Sequence, residues 1–152
     1  MKLLVTGRLK VFALLSILIM PVCSYGADIS GIEREGLIMR VELNRLGSSA
    51  DPSEKESILK KIAERCKGTE EGEAAYWDLA DLYLEGFPEE RRKEAAEVLE
   101  LCLRNYPNSR RAVMVKCRLV ELYDAGTPRR SELVRQLKND STLPTALKST
   151  LN

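Results

Sequence analysis

Three carboxylate residues within one predicted helix are the first candidates for chemistry in this sequence. Asp78, Asp81 and Glu85 lie at positions i, i+3 and i+7, so they share one face of a helix. Paired carboxylates act as general acid and base where a nucleophile or an apolar pocket separates their pKa values, and the neighbouring sequence offers neither. We interpret them as an acidic binding strip with Trp77 beside it. An ordinary solvated helix face is the alternative interpretation.

The absence of histidine restricts the chemistry of the whole chain. None of the 152 residues is histidine, which excludes Ser-His-Asp and Cys-His catalysis and histidine-containing zinc sites within the chain. The cysteines also lack the spacing of metal ligands. We therefore expect neither an enzyme nor a cofactor-binding protein.

The N-terminal residues have the layout of a secretory signal peptide. Val11–Met20 is an uncharged apolar run of ten residues that follows three bases and precedes Pro21 and small residues; the bases are Lys2, Arg8 and Lys10. A membrane-spanning helix needs about 20 apolar residues, so the run is short for that role. We predict a signal peptide over residues 1–27, cleaved after Gly26 or Ala27.

Two other interpretations of this segment stay open. Cys23 could carry a lipid, although Met20, Pro21 and Val22 form a poor lipobox because no small residue directly precedes the cysteine. The segment could also be an uncleaved anchor. Membrane association is expected only through the possible lipid anchor at Cys23.

The charge of the exported chain argues against nucleic-acid binding. Removal of the three N-terminal bases from 24, against 23 acids, leaves a net charge of −2. The charge is uneven along the chain, because residues 51–100 hold 15 acids and 8 bases whereas residues 101–152 hold 4 acids and 10 bases. The basic half could bind an acidic partner, anionic lipid headgroups or a second copy stacked head to tail. Charge balance between neighbouring helices is the alternative.

Apolar residues at helical spacing predict pairs of helices over about 30–67, 69–106 and 109–139, with a terminal cap helix over 141–152. Ser53, with Glu56 as its capping-box partner, and Ser109 are the predicted N-caps, and Thr69 or its neighbour is expected to start the third helix. Gly86 is expected to end the third helix, and Pro88 to suit the start of the fourth.

These elements recur with a period near 40 residues. The stretch Leu79–Gly86 has a counterpart at Leu119–Gly126, and Met39 and Leu43 form a fainter copy 40 residues before Leu79 and Tyr83. Periods of about 20 to 50 residues are typical of solenoids, in which stacked units bury one continuous core.

The sequence at this point resembles the tetratricopeptide repeat (TPR) family. The matching large and small residues are Tyr76, Leu79, Ala80, Tyr83, Ala95, Leu99, Cys102 and Pro107. The period exceeds the family's usual length of about 34, and Tyr83–Gly86 is similar to the longer Sel-one-like repeats, so the subfamily stays open. The resemblance covers Ile58–Leu137. It implies an all-α, right-handed αα-hairpin solenoid of about three hairpins plus a C-terminal cap helix.

The same resemblance implies a function and a binding face. In TPR proteins the first helix of each hairpin lines a concave groove that holds a partner protein or peptide. The expected contact residues are Leu37, Trp77, Asp78, Asp81, Glu85, Arg118 and Glu121. The junction over 104–109 is similar to those of exported bacterial TPR proteins, so we expect an interaction adaptor in the periplasm or cell envelope, or a secreted protein. Trp77 is either an exposed anchor for the partner or a residue packed into the preceding hairpin.

Three cysteines remain after the predicted cleavage. An oxidising compartment favours disulfides. Cys102 lies on the second helix of one hairpin and Cys117 on the first helix of the next, so we predict a Cys102–Cys117 disulfide. Buried thiols that act as small core residues are the alternative.

Overall fold

The structure, a computed structural model, describes residues 30–47 and 50–151 of the chain. These residues form α-helices and connecting turns with no β-strand, which confirms the predicted all-α class. The signal peptide predicted for residues 1–27 lies outside the described residues. The seven α-helices of the described part are α1 (Gly31–Leu46), α2 (Pro52–Arg65), α3 (Glu70–Asp81), α4 (Arg92–Asn105), α5 (Ala112–Leu122), α6 (Pro128–Asn139) and α7 (Thr145–Lys148).

Each helix from α1 to α5 packs against the next helix along the chain, and α1 also contacts α3. The packing buries one apolar cluster that runs from α1 to the segment after α6. The side chains with almost no exposed surface are Ile62, Leu79, Leu99, Leu119, Leu133 and Leu137. These six residues lie at the helical spacing seen in the sequence, so the apolar pattern and the core agree.

The N-terminal caps of α2, α3 and α5 agree only in part with those predicted from the sequence. The third helix starts beside Thr69 as expected, and Thr69 is its N-cap, because the Thr69 hydroxyl accepts from the backbone N–H of Gly72 at 3.2 Å. The predicted Ser53 cap is wrong: Asp51 caps α2 and accepts from the N–H of Ser53 at 3.0 Å. Pro52 then occupies the first helical position, where its missing N–H costs nothing. The Ser109 cap is also wrong, because α5 begins at Ala112 without a side-chain cap.

The connection between α3 and α4 departs from a simple turn. A π-helical segment, Leu82–Gly86, continues α3 and ends at Gly86 as expected. However, α4 begins at Arg92 rather than beside Pro88. The backbone N–H of Arg91 donates to the Tyr83 carbonyl at 2.8 Å, and the Arg91 guanidinium covers the Tyr83 and Phe87 rings at 4.6 and 4.7 Å. These contacts hold the intervening residues outside the helix.

Gly72 lies where another stretch of backbone comes close to α3. A Cβ atom at this position would come within 2.2 Å of the Cys66 carbonyl oxygen and 2.6 Å of the Tyr106 hydroxyl. That hydroxyl also accepts from the N–H of Gly68 at 3.0 Å. The end of α4 is thereby tied to the turn between α2 and α3.

The C-terminal segment is less helical than predicted. Only Thr145–Lys148 is α-helical, and it forms a single turn. Leu143 is buried beneath the segment, whereas Leu147 is exposed. In residues 30–47 and 50–151, no helix has the length and apolar character needed to cross a membrane.

Candidate partner-binding surface

Three helices that are not consecutive in sequence are joined by ion pairs into one surface. Arg40 of α1 binds Asp78 of α3. Asp81 of α3 lies 3.8 Å from a guanidinium nitrogen of Arg118 on α5, and Arg118 also pairs with Glu121 at 3.2 Å. We call these five residues and Glu85 the α1–α3–α5 strip. The predicted acidic face of α3 is therefore partly neutralised from both sides.

Asp81 lies at the centre of this strip and is partly buried. Burial raises the pKa of its carboxyl above the ordinary value of 3.8. Arg118 opposes this change, whereas the charges of Glu85 and Asp78 add to it. A cation brought next to Asp81 by a partner would relieve the crowding of these carboxylates.

Arg118 is incompletely satisfied where it crosses the strip. Its Nε is buried and has no hydrogen-bond partner in the described part of the chain, although its terminal nitrogens pair with Asp81 and Glu121. A buried N–H without a partner costs about 1 to 3 kcal/mol. A small movement of Arg118 toward a ligand acceptor would recover part of that cost.

The structure separates Leu37 from the other predicted contact residues. Trp77 is half-buried against the core and lies one helical turn before Asp81 on α3, so it is neither fully packed away nor a free anchor. Leu37 is 43% exposed and lies beside Ile38 and Val41 on the outer face of α1. Of the seven predicted contact residues, five belong to the strip, and Trp77 lies beside it on α3. The five are Asp78, Asp81, Glu85, Arg118 and Glu121.

A groove next to the strip was not predicted from the sequence. It has a volume of about 390 Å³, and its lining residues are Arg40, Leu43, Asn44, Gly47, Lys55, Leu59, Asp78 and Leu82. Three leucines supply apolar surface, and the Arg40–Asp78 pair forms one edge. The available signal was the 40-residue period, since it places residues of successive units in neighbouring helices.

Elsewhere in the fold, the same three-residue clamp occurs twice. Glu56 of α2 accepts from the Tyr83 hydroxyl at 2.8 Å and from Arg91 at 3.3 Å. Glu100 of α4 likewise accepts from the Tyr123 hydroxyl at 3.1 Å and from Arg129 through two bonds of 2.6 Å. Each clamp joins one even-numbered helix to the residues just before, or at the start of, the next even-numbered helix: α2 to the start of α4, and α4 to the start of α6. Glu56 therefore joins two helices rather than forming the predicted capping box.

Most arginines of the basic half are engaged within the chain. Arg111 pairs with Glu70, Arg118 with Asp81, Arg129 with Glu100 and Arg135 with Glu132. Arg130 donates to the Val120 carbonyl at 3.3 Å. These pairs match the charge balance between neighbouring helices that was the alternative to a basic binding site.

The cysteines that the structure describes are free thiols, so the Cys102–Cys117 disulfide is not formed in it. Cys66 and Cys102 are buried, and Cys117 is partly buried. Burial raises the pKa of Cys102 to about 11, with a further increase from the nearby Glu73 carboxylate. Thiols with raised pKa values are poor nucleophiles. Over the same residues, no group of three cysteine or carboxylate side chains could hold a metal ion.

Comparison of the chain with protein-family models, with curated proteins and with solved structures gives no match.

Proposed function

We propose that this chain is an exported TPR-like helical-repeat adaptor of the bacterial periplasm or cell envelope, which binds a partner protein or peptide over the α1–α3–α5 strip. The observation that carries the proposal is the strip itself, where half-buried ionic groups from three helices adjoin a groove that three leucines help to line. Such a surface offers both charge recognition and leucine side chains for a peptide to cover.

Two features of the packing support the solenoid interpretation. Helices that are neighbours in sequence are also neighbours in space, as stacked hairpins require. The Glu–Tyr–Arg clamp between successive units occurs at Glu56 and again at Glu100. Export rests on the sequence of residues 1–27, and the N-terminal mass of the protein recovered from an expressing bacterium tests it.

The charge of the strip indicates the chemistry of the partner. Four carboxylates face two guanidinium groups; the acids are Asp78, Asp81, Glu85 and Glu121, and the bases are Arg40 and Arg118. This net negative charge favours a peptide with lysine or arginine among apolar residues. Binding should weaken as salt is added, because the charged groups are partly exposed.

A random-peptide display selection on the purified protein tests this proposal. Selected peptides should be enriched in lysine and arginine and should bind Asp81→Lys at least tenfold more weakly than the wild type, as measured by fluorescence anisotropy. The matched control is Glu64→Lys, which makes the same charge change at an exposed site of α2. A selection that yields no binder, or binders that both variants weaken equally, would refute the proposed surface.

A further inference from the structure

The outer face of α1 carries the largest concentration of exposed apolar residues in the described chain. Seven large hydrophobic side chains are exposed in residues 30–47 and 50–151, and four of them lie on α1. Leu37 (43%), Ile38 (63%) and Val41 (49%) share its outer face, whereas Ile32 (49%) lies on another side of the helix. The opposite face of α1 is packed, with Gly36 and Met39 buried. Contiguous exposed apolar surface of this kind marks an interaction site.

The position of α1 in the packing order explains why this face is uncovered. Helix α3 receives ion pairs from α1 on one side and from α5 on the other, through Asp78 and Asp81. Helix α1 makes its helix contacts with α2 and α3. The face that carries Leu37, Ile38 and Val41 adds nothing to the core cluster.

We propose that α1 packs against α1 of a second copy of this chain, antiparallel, about a two-fold axis that passes at Ile38. Arg34 and Glu42 each lie four residues from Ile38, one helical turn on either side. The two-fold axis therefore places Arg34 opposite Glu42 of the second copy and forms the pair twice. A two-fold interface requires this self-complementarity.

The charges that border the apolar face are available for this pairing. Arg34, Glu42 and Arg45 line the same depression as Leu37, Ile38 and Val41; the three charged residues have no ion pair within residues 30–47 and 50–151. Glu35, by contrast, is engaged by Arg65 at 2.6 Å. On α1, Arg34, Glu42 and Arg45 therefore remain available to form ion pairs with a second copy of the chain.

The same charges choose between antiparallel registers. An axis between Ile38 and Val41 would pair these two apolar residues, but it would also place Arg34 opposite Arg45 of the second copy. Like charges at such positions repel. The axis at Ile38 replaces that repulsion with the Arg34–Glu42 pairs. It also brings the two Ile38 side chains, the most exposed of the apolar set, into contact.

The size of the face predicts a reversible dimer. A helix of 16 residues is about 24 Å long, which gives an interface near the lower end of the range for specific association. We expect a dissociation constant of about 10 µM, since small interfaces with few apolar anchors bind weakly. The dimer leaves the α1–α3–α5 strip as a separate surface.

Sedimentation velocity of the exported chain, as recovered from the expressing bacterium, across about 1 to 200 µM tests the dimer, with charge exchange as the specific probe. Arg34→Glu and Glu42→Arg should each weaken self-association at least tenfold, because each replaces two ion pairs with two repulsions. An equimolar mixture of the two variants should recover dimers, since each substituted side chain then faces the substituted side chain of the other variant, and the unchanged Arg34 faces the unchanged Glu42. The double variant should also associate like the wild type.

The control variant is Arg45→Glu, which makes the same charge change on the same face but outside the proposed pairs. It should leave the dissociation constant within about twofold of the wild-type value. Circular dichroism verifies that every variant is folded. A wild-type chain that is monomeric at all concentrations would overturn the proposal, whether α1 is then covered by N-terminal residues, by another protein or by solvent. Failure of the mixture to restore dimers, or tighter association of Arg45→Glu, would also overturn it.

Discussion

Replacement of Glu56 by glutamine removes the charge that holds α2 to the start of α4, with almost no change in side-chain volume. The Glu56 carboxylate accepts from Lys60 at 2.6 Å, from the Tyr83 hydroxyl at 2.8 Å and from Arg91 at 3.3 Å. All three partners are donors. A glutamine can therefore satisfy them only with its single amide oxygen, and its NH₂ group is left facing cations.

The expected loss follows from the exposure of each contact. Lys60 is 53% exposed and Glu56 is 16% exposed, so this i,i+4 pair contributes about 0.3 to 0.5 kcal/mol. The Arg91 pair is also partly exposed and contributes less than about 1 kcal/mol. The bond from the buried Tyr83 hydroxyl is charge-assisted and accounts for about 1 kcal/mol. We expect a total loss of about 2 kcal/mol in the free energy of unfolding, or roughly 5 to 10 °C in Tm.

The pH dependence of this loss distinguishes the charge from the shape of the side chain. Burial alone would raise the pKa of Glu56, but hydrogen bonds from Lys60 and Tyr83 and the charge of Arg91 outweigh it and lower the pKa below 4.5. The unfolded chain therefore binds the proton more readily than the folded chain. The stabilisation is complete above the ordinary pKa and is lost as the pH falls through the lowered one. The variant cannot titrate here, so the difference between the two proteins should shrink below about pH 4.5.

Urea unfolding followed by circular dichroism at about pH 7, 5 and 4 measures both effects. Glu64→Gln on the exposed side of α2 is the control and should stay within about 0.5 kcal/mol of the wild type. The reasoning is refuted if Glu56→Gln also stays within that limit at neutral pH. It is equally refuted if a large loss at neutral pH persists unchanged at the most acidic pH.

Three further predictions concern packing. Gly72→Ala should lower the free energy of unfolding by at least about 2 kcal/mol, because the new Cβ would lie 2.2 Å from a backbone oxygen. The control is Gly31→Ala, whose Cβ would have no atom within 4 Å, and it should be neutral or stabilising in the same urea assay. Leu99→Ala should cost about 2 to 5 kcal/mol because the side chain is fully buried, and the exposed Leu101→Ala less than about 1 kcal/mol; equal losses would contradict the packing. At about pH 8 a pKa of about 11 leaves roughly one Cys102 thiolate in a thousand, so mass spectrometry should find this thiol alkylated only after unfolding, and rapid native labelling would contradict its burial.

Much of the helical architecture could be predicted from the sequence because its causes are local. Apolar residues at helical spacing located every long helix, and Thr69 and Gly86 act as the expected start and stop. One error lies where two local signals compete. Asp51 caps α2 in place of Ser53 because Pro52 between them suits the first helical position.

The candidate surface was predictable only in part. The face shared by Asp78, Asp81 and Glu85 follows from helix geometry, but Arg40 as a partner of Asp78 depends on how two helices 38 residues apart pack. Leu37 shows the same limit: its helix was expected, and the side of that helix toward which it points was not. A shift of one residue turns a side chain by about 100°, enough to move it from a groove to an outer face.

The sequence by itself therefore determined the helices, the lack of histidine chemistry and the charge of each segment, because these depend on residue type and short-range spacing. The tertiary structure decided which charges meet. It paired the acids of α3 with arginines of α1 and α5, built the two clamps at Glu56 and Glu100, and left the apolar face of α1 uncovered. The physical reason is that the strength of an ion pair or an apolar contact depends on separation and burial in space, and residues distant in sequence acquire both only when the helices pack.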